Sequence, residues 1–334
     1  MRISVPGIPQ AILNAKPPLS VKSISEAIQR LTEFIGSGDV TLLTGAGVSV
    51  DSGIRAYRGE DGRYMNPNYK PILYHELVDP TEKGQAFRQR YWLRSYLGYP
   101  PVRDAQPNTT HFALAALQRS EHITRIVTQV TFRHNVDGLH HKALRQIASG
   151  SWDPSHILNN ILELHGTLHV NADLVASMVA IEHLGVSYKD FVVPDCPECV
   201  LKNHRNSVLK PEVIFFGESI PQAVKERSFL DIEHGDRLLL IGTTLATYSA
   251  FRLLRHALEL KKPVMLLNVG PTRADGLPGV EKIDVQAGLI MRDVAKNVVG
   301  TRATDDLVIA EMLRSGVLNP LLLDDDDRRP RATG

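Results

Sequence analysis

The chain has 334 residues, and its 38 Lys and Arg against 37 Asp and Glu leave a formal net charge of +1, so no global field favours nucleic acid or an anionic membrane. Its 43% hydrophobic and 22% charged content is that of globular rather than disordered or fibrous sequence. The two cysteines, Cys196 and Cys199, exclude a disulfide-stapled scaffold, and no apolar run approaches the ~20 residues of a bilayer helix. A soluble intracellular protein of one large or two unequal domains is expected.

Residues 1–25 contain no acid and carry Arg2, Lys16 and Lys22, as an organellar presequence would. Pro6, Pro9, Pro17 and Pro18 would break a presequence helix, so residues 1–24 read as a leader, either disordered or targeting. Ile24, Ala27, Ile28, Leu31, Phe34 and Ile35 then recur at helical spacing, and Gly36 and Gly38 end the helix. Residues 40–43 read as a short buried strand that runs into Gly45-Ala46-Gly47. Residues 56–75 have no period and read as a long loop of the kind that forms functional lids. Helical stretches follow around 87–96 and 111–118, then a strand over 123–127. A further strand over 238–241 enters Gly242-Thr243-Thr244, a helix runs through 251–260, and a strand over 263–267 ends at Asn268.

Short apolar strands alternating with helices predict an α/β fold with a doubly wound parallel sheet, Rossmann-like. Ligands bind such sheets beyond the carboxyl ends of the strands, where the loops at Gly45, Gln129, Gly242 and Asn268 fall. Residues 25–166 and 209–305 are expected to form this catalytic domain and 167–208 a small inserted module with both cysteines. Residues 322–334, with four aspartates and Arg328, Arg329 and Arg331, read as a solvated disordered tail.

Glycines after a strand let backbone N–H groups approach a phosphate closely. The dehydrogenase fingerprint wants a third Gly or Ala where Val50 stands, and an acid at the end of a second strand ~20 residues on; Asp61 falls in a loop instead. Hydride transfer is therefore disfavoured.

Gly45-Ala46-Gly47-Val48-Ser49-Val50-Asp51-Ser52-Gly53-Ile54, followed by Tyr57-Arg58-Gly59, resembles the first signature of the sirtuins, the NAD-dependent protein deacylases. Thr128-Gln129 with Asn135-Val136-Asp137-Gly138-Leu139-His140 is similar to a second segment of that family. Glu163-Leu164-His165-Gly166, Lys210-Pro211-Glu212-Val213-Ile214-Phe215-Phe216-Gly217-Glu218, Gly242-Thr243-Thr244-Leu245 and Leu267-Asn268-Val269-Gly270 resemble four more, in the family's order. The likeness spans about residues 25–300. Arg88-Gln89-Arg90-Tyr91-Trp92, Gln106-Pro107-Asn108 and residues 270–275 look most like the class of the mitochondrial lipoamidase and ADP-ribosyltransferase.

The resemblance implies that NAD is consumed to deacylate an acylated lysine in a protein, with release of nicotinamide and O-acyl-ADP-ribose. His165 would be the general base for a ribose hydroxyl, a task suited to a group that titrates near working pH. Gly45, Ala46, Gly47 and Ser49 would line the pyrophosphate, and Arg58 the ribose and phosphate side. Gln129, Asn135, Val136 and Asp137 would form the ribose and nicotinamide pocket. Gly242, Thr243 and Thr244 would meet the adenosine side, Asn268, Val269 and Gly270 the adenine ribose, and Ala287 the adenine. Val213, Phe215 and Phe216 would pair with the substrate backbone as an added strand; ordinary core packing is the alternative for one of the two phenylalanines. A monomer in the mitochondrial matrix is expected, with cytoplasm or nucleus as the alternative.

Three departures from the family pattern stand out. Arg55-Ala56 replaces its Pro-Asp, which removes a carboxylate from the cofactor loop. Val130 to His134 separate Gln129 from Asn135, which the family keeps adjacent, and are expected to bulge at the strand end and displace Gln129. Only one Cys-x-x-Cys pair, Cys196 and Cys199, stands where structural Zn²⁺ needs four ligands; Asp173 and Ala176 occupy the places of the other pair. A mixed site completed by His169, His183 or His204 and a metal-free module both remain open. A second functional class arises from these departures: a catalytically impaired NAD- or ADP-ribose-binding protein, beside a mono-ADP-ribosyltransferase.

Overall fold

A strand covered by helices on both faces has no polar side, and Arg237–Ile241 is such a run: four of its five residues are buried. The computed structural model describes residues 7–14, 21, 23–59, 62–65, 71–129, 138–148, 152–166, 192–193, 197–203 and 210–320. Among the described residues six strands form one sheet: β1 (Val40–Thr44), β2 (Ile123–Thr128), β3 (Ile161–Glu163), β4 (Arg237–Ile241), β5 (Val264–Leu267) and β6 (Val280–Ile283). Their order is β3-β2-β1-β4-β5-β6, and every neighbouring pair is parallel. This is the doubly wound order, whose direction reverses at β1.

Alternation along the strands divides the core. Leu42, Ile126, Leu239, Ile241, Met265 and Leu267 face one layer, whereas Leu43, Val127, Leu238, Leu240, Val264 and Leu266 face the other. The first layer holds helices α1 (Ile24–Gly36), α3 (Thr109–Arg119), α4 (Leu139–Ile147) and α7 (Ala287–Val299). The second holds α5 (Gln222–His234) and α6 (Tyr248–Glu259). Ser23 caps α1 by accepting from the Glu26 backbone N–H, and Asn108 with His111 forms a capping box at α3, as expected of Ser and Asn at helix starts. The last helix among the described residues, α8 (Leu307–Arg314), lies beyond residue 305 yet adds Ile309, Met312 and Leu313 to the first layer.

Helix α2 (Glu82–Asp104) is longer at both ends than the stretch read from the sequence, and passes through Pro100 and Pro101. Its residue Tyr91 joins Ile72, Leu77, Val213 and Phe215 in a third, smaller apolar cluster, which fixes the segment after residue 210 beside the sheet. Most of the expected module 167–208 lies outside the described residues; a short helix, Pro197–Leu201, carries Cys199. The expected leader and tail fall largely outside them too. Among the described residues no helix is long and apolar enough to cross a membrane.

Candidate active site

Gly45 and Gly242 follow β1 and β4, which are neighbours in the sheet, so their loops meet at the carboxyl edge. They interlock: Gly45 N–H donates to the Ile241 carbonyl at 3.0 Å, and Gly47 N–H to the Gly242 carbonyl at 2.9 Å. A Cβ on Gly45 would lie 2.5 Å from the Gly242 oxygen, and one on Gly47 would lie 2.8 Å from it. The glycines thus serve the meeting of two loops as well as close approach to a ligand.

These loops floor a cavity of about 1600 Å³. Of the residues predicted from the sequence, Gly45, Ala46, Gly47, Arg58, Gln129, His165, Phe215, Phe216, Gly242, Thr243, Thr244, Asn268, Val269, Gly270 and Ala287 all line it. Ser49 does not: it is fully buried below the loop, and its carbonyl accepts from the N–H groups of Ser52 and Ile54. Val213 is also set back, in the apolar cluster with Tyr91. Asn135, Val136, Asp137 and the stretch 130–134 lie outside the described residues.

At one end of the cavity, Asn268 donates from its side-chain amide to the Val269 carbonyl at 2.8 Å. Gly270 N–H donates to Asp284 at 3.1 Å, leaving Val269 exposed. Ala287 and Gly288 begin α7, whose N-cap residue Gln286 makes no side-chain capping bond. Asp51 presses against Gly288, where any Cβ would collide with its carboxylate; burial pushes the Asp51 carboxyl up from its ordinary value. On the opposite wall the Arg58 guanidinium lies 4.8 Å from the centre of the Tyr64 ring, and burial lowers its pKa.

The reactive end is built on β2 and β3. His165 follows β3, and its Nδ1 lies 3.1 Å from the backbone carbonyl of Gln129. Its Nε2 lies 2.7 Å from Ser249 Oγ. Burial lowers its pKa to about 4, against a smaller opposing pull from the Gln129 carbonyl, so the ring is neutral near pH 7. A carbonyl can only accept, so Nδ1 carries the proton and Nε2 the lone pair.

Gln129 is not displaced from the cavity. Its backbone N–H donates to the Thr44 carbonyl at 2.9 Å, and its side-chain amide donates to Thr243 Oγ1 at 2.9 Å while accepting from Thr247 Oγ1 at 3.3 Å. Anchors on both sides hold it at the strand end despite the five residues that separate it from Asn135.

The substrate-side segment is tied to the same histidine. Ile214 N–H donates to the His165 carbonyl at 2.9 Å. Gly166, at φ +87°, permits this approach, because a Cβ there would strike the Glu212 carbonyl. Glu218 accepts from Phe215 N–H at 2.9 Å and pairs with Lys210 at 3.1 Å, closing residues 210–218 on themselves. Phe215 packs edge-on against Tyr91, with ring centres 5.6 Å apart, so it belongs to the core as well as to the cavity wall.

The Sir2 family model matches residues 45–249, over which these loops and His165 fall. The chain belongs to the Sir2 family. A relative described as NAD-dependent protein deacylase SIR4, from Batrachochytrium dendrobatidis, is 36% identical over 319 residues, covering 83% of this chain and 96% of its own. NAD-dependent protein deacylase Sirt4 of Drosophila melanogaster is 34% identical over 295 residues, covering 79% of this chain and 85% of its own. Among solved structures, a Sir2 homologue in complex with NAD is similar at a TM-score of 0.57 and 25% identity, over 81% of this chain and 93% of that one.

In this Sir2 chain three contacts escape a reading of motifs: Ser249 on His165, Gly166 under Glu212, and Asp51 on Gly288. Each joins residues far apart in sequence, and only the helical spacing after Gly242 hints at the first. The described residues do not supply a zinc site. Cys199 stands on its short helix, Cys196 lies outside the described residues, and among those described no three His, Cys, Asp or Glu side chains cluster.

Proposed function

We infer that the chain is an NAD-dependent protein-lysine deacylase, in which the residues lining the cavity bind NAD and present an acylated lysine to it. The observation that carries this reading is His165 on the cavity wall, its Nδ1 held by the Gln129 carbonyl, at the meeting of two glycine loops and the 210–218 segment. The glycine loops offer backbone to a pyrophosphate, and Asn268, Val269, Gly270 and Ala287, which line the same cavity, are assigned to the adenine ribose and adenine on the family pattern. Arg58 stands on the wall as a cation for the phosphate side, and Asn135, Val136 and Asp137 are assigned to the nicotinamide end on the family pattern. NAD supplies the ribosyl carbon that the acyl oxygen attacks and the nicotinamide that leaves.

His165 Nε2 accepts the ribose hydroxyl proton, with Nδ1–H anchored to Gln129. A general base must sit within hydrogen-bond reach of that proton, and the rigid Gln129 carbonyl keeps the imidazole from turning away. The backbone of Ile214 to Phe216 lies beside His165, and the family pattern assigns to this segment the pairing with an extended acyl-lysine peptide as an added strand. Phe215 and Phe216 exclude water from the acyl chain.

The test is nicotinamide release from NAD with and without an acyl-lysine peptide. Peptide-dependent release with formation of O-acyl-ADP-ribose supports the reading; tight ADP-ribose binding with no turnover makes the chain a binder instead. The proposal extends to the mitochondrial matrix on the acid-free, basic character of residues 1–25. A reporter fused to those residues that stays in the cytosol overturns that part.

A further inference from the structure

Two hydroxyls stand at the start of α6, and neither caps the helix. Thr247, the N-cap residue, makes no side-chain capping bond and donates to Gln129 Oε1 at 3.3 Å. Ser249, in the first turn, points to His165 Nε2 at 2.7 Å. A Thr at N-cap ordinarily satisfies an orphan N–H of its own helix, so both side chains are turned toward the ends of β2 and β3 instead. Ser249 and His165 line the same cavity.

The direction of the bond is set by the other end of the ring. Gln129 offers Nδ1 a carbonyl, so Nδ1 donates and Nε2 is an acceptor. The Ser249 O–H therefore donates to Nε2 and fills its single lone pair. That lone pair is the one the deacylase reading assigns to the ribose hydroxyl proton.

We propose that Ser249 is a positioning residue for His165, holding the Nε2 lone pair aimed into the cavity until the ribose hydroxyl of NAD takes the serine's place. This rests on the deacylase reading. The exchange replaces one O–H donor by another, so no proton is stranded on the enzyme before chemistry begins. When the ribose hydroxyl then gives its proton to Nε2, the ring becomes an imidazolium whose Nδ1–H still holds the Gln129 carbonyl, and the displaced Ser249 hydroxyl faces the cavity it lines. With the serine removed, the ring is pinned at one nitrogen only and can swing about that bond.

Three measurements on the full chain decide it. In Ser249→Ala, kcat/KM for NAD should fall roughly 10-fold, a fraction of the ~100-fold that a 1 Å misplacement costs, with kcat within about two-fold, because the serine acts on the free enzyme and gives way before chemistry. Ser249→Thr should recover most of the loss, and Ser249→Val, the same shape without a hydroxyl, should not; this pair also decides the matter if the alanine variant folds poorly. The ¹⁵N resonance of His165 Nε2 in the unliganded protein should move toward the value of an unbonded lone pair in Ser249→Ala and Ser249→Val. Equal kcat/KM in the Thr and Val variants, or an unmoved Nε2 resonance, overturns the proposal. A wild-type chain without peptide-dependent nicotinamide release sinks the deacylase reading instead, and the resonance still reports on Ser249 and His165 separately.

Discussion

The imidazole of His165 is held by the backbone carbonyl of Gln129 at 3.1 Å, a bond that joins the ends of two adjacent strands. A backbone acceptor cannot be lost to side-chain rotation, so the tautomer with Nε2 unprotonated is built into the sheet. Substituting His165 by Ala should reduce deacylation to background while NAD affinity stays within a few-fold. A base acts in the transition state far more than in ground-state binding. Nicotinamide release and direct NAD titration are the paired measurements; undiminished turnover would remove His165 from its role.

Buried His111 and His140, with half-buried His165 on the cavity wall, make the fold sensitive to acid. Burial lowers His140 to about 3 and His165 to about 4, and lowers His111 well below its ordinary value with further help from nearby His140. His140 bonds Thr44 Oγ1 through Nε2 at 3.1 Å and meets the His111 ring edge-on at 5.0 Å. The folded state binds fewer protons than the unfolded chain below pH ~6.5, so stability falls as pH drops from there toward the folded values. For His140 alone the loss between about pH 7.5 and pH 5 is about 2 kcal/mol. Urea unfolding at the two pH values should show it, and His140→Gln should flatten the dependence; an unchanged slope would mean that the ring is not buried neutral.

The interlocked loops put a sharper constraint on Gly242. Its φ is +63°, and a Cβ there would lie 2.5 Å from the Val48 backbone nitrogen. Both the left-handed backbone and the close approach oppose any side chain. Gly242→Ala should lower stability by about 2–3 kcal/mol and weaken NAD binding at least ~10-fold, whereas Gly270→Ala, at φ +75° with open space around its Cβ position, should cost about 1 kcal/mol. Melting temperatures and NAD titrations of the two variants rank them.

Residues 130–134 bear on catalysis through the length of the chain between two fixed points. Gln129 is anchored to Thr243 and Thr44, and Gly138, at φ +55°, starts α4. Where Asn135 and Asp137 serve the nicotinamide end, five added residues between these anchors oppose a pre-organised pocket. Deleting residues 130–134 should then raise kcat/KM at least ~10-fold. A folded deletion variant with no gain would show that the added residues are harmless to catalysis.

Strands β1, β4 and β5 are legible in the sequence because they are buried on both faces and read as near-continuous apolar runs; β2 shows through Ile123, Ile126 and Val127, although Thr124 and Arg125 interrupt it. β3 and β6 are not legible. They close the two edges of the sheet, and β6 carries Glu281 and Lys282, so the apolar signal is diluted where one side of a strand has no neighbour. The cavity-lining residues are legible as motifs because function demands glycine, asparagine or histidine at particular strand ends. Ser249 is not, since serine early in a helix is common and its meaning comes only from the imidazole opposite. Ser49 and Val213 show the converse: the motif carries them, but their side chains support the wall from behind.

The clasp between Gly47 and Gly242 also limits how the pocket can change shape. A floor stitched from two adjacent strands has no hinge of its own: widening it would break the Gly47–Gly242 and Gly45–Ile241 bonds together. A bulkier nucleotide would therefore have to be accommodated by the Arg58 wall or at exposed Val269, and selection for a different dinucleotide would leave the three glycines untouched while rewriting those rims.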